Sequence, residues 1–175
     1  AFELLRKDGY QAKIIQITAK EKMCLCEEME CNPVHCPYAK GHFDRVNDAV
    51  YELLQQEDVL TREVIQEQAK KHTVCPFELS LDLSSWSDNI ICDYNYVFDP
   101  NVYLRRFFAN EKPQDYVFLA DEAHNLVDRA REMYSAELVK QDFLDVKRLV
   151  RDRNRKFVRA IDACNAEMLR IKREC

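Results

Sequence analysis

The spacing of apolar residues changes along the chain, and each change marks a stretch with its own organisation. Residues 1–23 read as helix, turn and strand. Ala1 to Lys7 has the pattern of the end of an amphipathic helix closed by Gly9, and Ala12-Lys13-Ile14-Ile15-Gln16-Ile17-Thr18 is short and β-branched, as a buried strand requires. Residues 24–79 carry two helical patterns. Phe43, Val46, Val50, Leu53 and Leu54 recur at one spacing, and Thr61 is placed to N-cap a second helix bearing Val64, Ile65 and Ala69. Residues 80–136 return to short apolar runs between helices. A helix ending near Trp86 leads to a strand over Asn89-Ile90-Ile91-Cys92. A helix around Val102 to Phe108 follows, then a strand over Tyr116-Val117-Phe118-Leu119-Ala120, and a helix from about Asn125. Strands alternating with helices in this way predict an α/β fold with a parallel sheet covered on both faces. Residues 137–175 are helical throughout, interrupted by the polar run Arg151 to Lys156, and predict one long helix or an αα-hairpin.

Composition narrows the chemistry. The 175 residues hold two glycines, Gly9 and Gly41, too far apart to form a Gly-rich phosphate loop or a dinucleotide fingerprint within this stretch. The chain begins without Met and without a signal-peptide core, so we expect a piece of a longer intracellular, cytoplasmic protein. Charge is uneven: residues 137–175 have 11 Lys and Arg against 7 Asp and Glu, while the rest is acidic. A basic helical tail suits nucleic acid, and it equally suits a solvated helix face.

Eight cysteines stand against the two glycines, and five of them fall in residues 24–79 as Cys24-x-Cys26-x4-Cys31-x4-Cys36 followed by Cys75. Thiolates from two chain segments suit a tetrahedral zinc ion or an iron-sulfur cluster. No tight Cys-x2-Cys pair occurs, and Cys36-Pro37 and Cys75-Pro76 resemble the Cys-Pro that closes iron-sulfur motifs, which leans toward the cluster. Five cysteines for four places leave Cys24 and Cys26 competing for the first, with His35 as an outside candidate. Met23 and Phe77 are candidates for an apolar wall. Cys92 and Cys164 read as buried thiols acting as small hydrophobes.

The second feature is Asp121-Glu122-Ala123-His124-Asn125 at the end of an expected strand, where ligands of open α/β sheets sit. The pattern assigns Asp121 to Mg2+ on the β- and γ-phosphates of a nucleotide and Glu122 to the attacking water. It assigns His124 to coupling the nucleotide site to the rest of the protein.

Together these residues resemble the iron-sulfur DNA helicases of superfamily 2, the XPD and DinG group, and most of all its bacterial members. The likeness rests on Glu21-Lys22-Met23-Cys24, Cys75-Pro76-Phe77, Tyr94-Asn95-Tyr96-Val97-Phe98-Asp99-Pro100 and Asp121 to Asn125, in that order. It implies Cys24, Cys31, Cys36 and Cys75 as ligands of a 4Fe-4S cluster. It also implies a RecA-like motor domain over 1–23 and 80–136, a mostly helical cluster domain over 24–79, and the start of a helical arch over 137–175. The implied activity is ATP-dependent 5' to 3' translocation on single-stranded or forked DNA by a monomer, with no membrane. Lys20 and Lys22, joined on charge grounds by Lys40 and Arg45, are the expected DNA contacts, whereas Tyr94 and Tyr96 are expected to pack in the core. The phosphate loop and second motor domain of such enzymes fall outside these residues, so this stretch alone is not expected to hydrolyse ATP.

Overall fold

The computed structural model describes residues 2–109 and 115–174. Helix α1 (Phe2–Lys7) ends at Gly9, whose φ of 93° lies where a side chain is disfavoured. Strand β1 (Ile14–Gln16) then enters the centre of a three-stranded, fully parallel sheet with order β2-β1-β3, β2 being Val59–Leu60 and β3 Asn89–Ile91. Ile15 pairs with Leu60 on one side and Ile90 on the other. Ile14 and Ile15 are both buried, because helices leave neither face of so short a strand to solvent.

Parallel strands need crossovers, and these carry most of the helices. Between β1 and β2 run α2 (Lys20–Met23) and α3 (His42–Gln56); between β2 and β3 run α4 (Arg62–His72) and α5 (Pro76–Ser84). Thr61 caps α4 as its sequence predicts, its Oγ1 accepting from the Val64 amide at 3.4 Å. The far end of α3 is closed by one lysine: Lys13 Nζ donates to the Leu54 and Glu57 carbonyls at 2.6 and 2.7 Å and to Asp58 Oδ1 at 3.0 Å. Val46, Ala49, Leu53, Ile65, Leu79 and Leu83 close one core together with Ile15 and Met23. The cysteine-bearing stretch 24–79 thus shares its core with the strand that precedes it, and supplies β2 to the sheet.

A smaller core of Ile17, Tyr96 and Leu104 lies beyond, under α6 (Asn95–Phe98) and α7 (Arg105–Phe108). The strand expected over residues 116–120 does not form; residues 115–120 have no regular structure. Strand preference is realised only in a ladder. Here Tyr116 and Phe118 instead join Phe107 and Phe108 in an aromatic group, with ring centroids 5.7 to 6.3 Å apart. Val117 and Leu119, alternate with them, are 89% and 91% exposed.

The chain divides into two compact units, Ala1–Ala120 and Asp121–Cys175. The second consists of a 3-10 turn (Ala123–Asn125), α8 (Leu126–Met133) and the αα-hairpin of α9 (Lys140–Val150) and α10 (Arg155–Glu174), in which Lys147 pairs with Asp162. The inward stripe of α10 runs through buried Ile161 and half-buried Asn165 and Met168. Cys164 lies just off that stripe and is exposed, contrary to the buried thiol its helical position suggests.

Candidate functional site

Cys24 follows directly on α2, its amide donating to the Lys20 carbonyl at 2.9 Å. From there to α3 the chain runs in turns. Asn32 Oδ1 accepts from the Val34 and His35 amides, both at 3.0 Å, and the Cys36 carbonyl accepts from Lys40 at 3.1 Å. Cys75 arrives from the other side. It is the N-cap of α5, with Pro76 in the first helical position, three residues after α4 ends.

The two segments meet on a lysine. Burial works against the Lys20 charge, but Cys31, Glu78 and Cys75 outweigh that and raise its pKa, so the ammonium answers to a cysteine of each segment. The same ammonium sits 5.8 Å over the Phe77 ring. Burial pushes the Cys75 thiol up, while the Glu78 and Phe77 amides of the helix start, and Lys20, pull it back toward the thiolate. Cys26 Sγ lies 3.9 Å from Cys36 Sγ, and burial together with Cys36 and Cys24 pushes the Cys26 thiol up to about 11. The donor set thus has the softness a thiophilic centre needs, and it comes from both segments. No group of three or more metal-binding side chains is already closed up around a common point among the described residues.

Other candidates fall elsewhere. His35 is exposed and faces Glu30, with Nδ1 3.5 Å from Oε2. Met23 is consumed by the main core, and Cys92 is half-buried beside the smaller one. Tyr96 packs with Ile17 and Leu104 as expected. Lys22 and Lys40 are exposed. Arg45 is half-buried: Nε donates to the His72 carbonyl at 2.9 Å, and Nη2 to Lys40 and Thr73 at 2.7 and 2.6 Å. Its guanidinium is therefore engaged with backbone, a role its charge alone does not reveal.

Past the end of β1 opens a cavity of about 960 Å³ lined by Lys20, Lys22, Phe77, Tyr96, Tyr103 and Arg105 among others. Arg105 lies 5.9 Å from the Tyr103 ring centroid, a second cation-aromatic pair on the same cavity. Sequence reading did not single out Tyr103 and Arg105; an aromatic two residues before a cation is the local signal they carry.

The acidic box opens the second unit. Glu122 has φ 49° and ψ 39°, the left-handed region that costs a side-chain-bearing residue about 1–3 kcal/mol. Its amide donates to Asp121 Oδ1 at 2.9 Å, and its carboxylate lies 3.3 Å from His124 Nε2. Asp121, Glu122 and His124 are brought together by this one turn, and all three are exposed.

No solved structure matches the chain. Among curated proteins it is 29% identical to the human regulator of telomere elongation helicase 1 over 151 residues, 79% of this chain and 12% of that protein. It is 31% identical over 120 residues to the helicase subunit XPD/RAD3 of the general transcription and DNA repair factor IIH of Saccharomyces cerevisiae, 69% of this chain and 14% of the relative. A chicken Fanconi anemia group J protein homolog is 39% identical over 66 residues, 38% of the chain and 5% of the relative. The chain therefore spans no more than 14% of the length of these three. The DEAD_2 family matches residues 8–143, a span that takes in both the cysteine loop and the acidic box, and the chain belongs to that helicase family.

Proposed function

We propose that these residues are part of an ATP-dependent DNA helicase that carries a 4Fe-4S cluster and moves 5' to 3' along single-stranded or forked DNA as a monomer. The observation that carries this reading is the meeting of two cysteine segments on Lys20, at the mouth of a cavity lined by cations and aromatic rings. Cys24, Cys31, Cys36 and Cys75 hold the cluster, and bound there it supplies a rigid cross-link between the loop and the start of α5. Aromatic rings beside cations suit bases and phosphates of a single strand, which assigns Lys20 and Lys22 to the DNA path with Lys40 at its exposed edge. Asp121 holds Mg2+ on a bound ATP, Glu122 takes the proton of the attacking water and His124 orients Glu122. The three relatives named above are eukaryotic, so the likeness to bacterial members finds no support among them.

One observation favours a second reading, a zinc module. The 3.9 Å between Cys26 and Cys36 sulfurs is close to the ~3.8 Å tetrahedral edge that zinc-thiolate bonds of about 2.3 Å produce. Anaerobic purification of the full-length protein separates the two: iron with inorganic sulfide and absorbance near ~400 nm supports the helicase, stoichiometric zinc the module. Charge reversal at Lys20 and Lys22 should weaken single-strand binding and flatten its salt dependence; unchanged values would remove both lysines from the DNA path.

A further inference from the structure

The first turn of α3 contains two side chains that hold the backbone of both cysteine segments. His42 is 4% exposed, and its Nδ1 accepts a hydrogen bond from the Cys75 backbone amide at 3.2 Å. Three residues on, Arg45 donates to the His72 and Thr73 carbonyls just before Cys75, and to the Lys40 carbonyl four residues after Cys36. The connection they hold is tight and strained: Thr73 ends α4 with φ 53°, and a non-glycine residue persists there only where its surroundings enforce it. Gly41, at φ 66°, completes the arrangement. A Cβ there would stand 2.6 Å from Arg45 Nη1, so the glycine leaves the space the anchored guanidinium occupies.

We infer that His42 and Arg45 are positioning residues that set the distance between the Cys36 and Cys75 segments before any cluster is bound, so that the cysteine site is preorganised by protein hydrogen bonds and not assembled by the metal. Groups that orient ligands without touching the metal typically change metal affinity by about 10–100-fold when removed. The chemistry also says which substitutions restore function. Asn at position 42 keeps an acceptor near the place of Nδ1, whereas Leu keeps the volume and loses it. Lys at position 45 keeps the charge but, with a compact ammonium in place of the planar fork, does not reach three carbonyls. The inference rests on the cluster reading for its iron measurement only; its second measurement does not.

The test uses the full-length protein with His42→Leu, His42→Asn, Arg45→Gln, Arg45→Lys and, as an independent disturbance, Gly41→Ala. Two quantities are read: iron retained at graded chelator concentration, and the alkylation rate of the Cys75 thiol in metal-free protein, by mass spectrometry with Cys92 as internal reference. Expected is an iron affinity about 10–100-fold lower in H42L, R45Q and R45K, near-native retention in H42N, and a matching rise in Cys75 alkylation with Cys92 unchanged. Iron retention and Cys75 alkylation at wild-type values in H42L and R45Q would overturn the inference. So would loss of single-strand DNA affinity in R45Q with iron intact, which would return Arg45 to the DNA path. A variant that alkylates at Cys92 as fast as at Cys75 has lost its core, and the comparison of H42N with wild type then decides. If the wild type binds no iron the cluster reading fails, while the alkylation rates still test the positioning role.

Discussion

The cysteine region and the acidic box differ in how much structure stands behind them. Around Cys75 the approach is held from another element: His42 of α3 on its amide, Arg45 of α3 on the His72 and Thr73 carbonyls, and the α3-α4-α5 core beneath. Around Glu122 the contacts are local. Its amide meets the preceding side chain, its carboxylate meets the histidine two residues on, and the apolar segment 117–119 before it is largely exposed. The first region has its geometry imposed from several directions. The second keeps a left-handed glutamate whose own side-chain and amide contacts, among the described residues, are to Asp121 and His124. The proposed cluster, which needs several ligands at once, therefore falls on the more constrained framework, and the proposed nucleotide chemistry falls on a single turn.

The largest effect should come from the constrained side. Cys36→Ser or Cys75→Ser in the full-length protein should bring iron and inorganic sulfide to background, because a hard hydroxyl replaces a soft ligand. Cys26→Ser should leave both near wild type. Iron retained without Cys75, or lost without Cys26, would break the assigned ligand set, and elemental analysis of the three variants decides.

On the local side, Glu122→Gln should lower ATP turnover of the full-length protein by about 10²–10⁴-fold, the usual worth of a general base, with iron content unchanged. A shared loss of iron would mean that the two regions are coupled, and the contrast drawn between them would fall.

The framework itself has a measurable stability. Leu53 is buried among Ile15, Met23 and Leu83 in the main core. Leu53→Ala should therefore cost about 2–5 kcal/mol, read from denaturant unfolding of metal-free protein. A cost well below that would mean the core under the cysteines is loose.

These contrasts also explain what was legible in the residues alone. The α3 and α4 helices follow from apolar spacing and from Thr61, because these signals are local. β2 was missed, since two residues, Val59 and Leu60, carry no period; only their pairing with Ile14 and Ile15 makes them a strand. The reverse error occurred at 116–120. There the alternation is real, with Tyr116 and Phe118 on one side and Val117 and Leu119 on the other, but no ladder accompanies it. Arg45 was misleading for a related reason: its charge is local information, while its three carbonyl partners come from residues 40, 72 and 73. Of the candidate site, the sequence offers candidate residues, while the hydrogen bonds that join the segments are visible only in the structure.

The smallest effect tests whether surface pairing adds to the framework. Glu52, on α3, accepts from Lys71 and from His72 Nε2 at the end of α4, and also from Gln56. Lys71 first, and then His72, hold its carboxyl at about 2, well below the ordinary 4.5. A carboxyl that ionises more readily folded than unfolded stabilises the fold at pH values above 4.5, and the contribution fades as the pH falls from there toward 2. Glu52→Gln should therefore lower the thermal midpoint at pH 7, do so less at pH 3 and lose its effect only as the pH falls to about 2, with salt shrinking the difference because Lys71, its first partner, is exposed. A difference that persists unchanged down to about pH 2 would mean that Glu52 acts through packing instead of charge. The α3-α4 contact would then owe its strength to the buried side chains alone, as the contrast between a packed framework and an exposed turn requires.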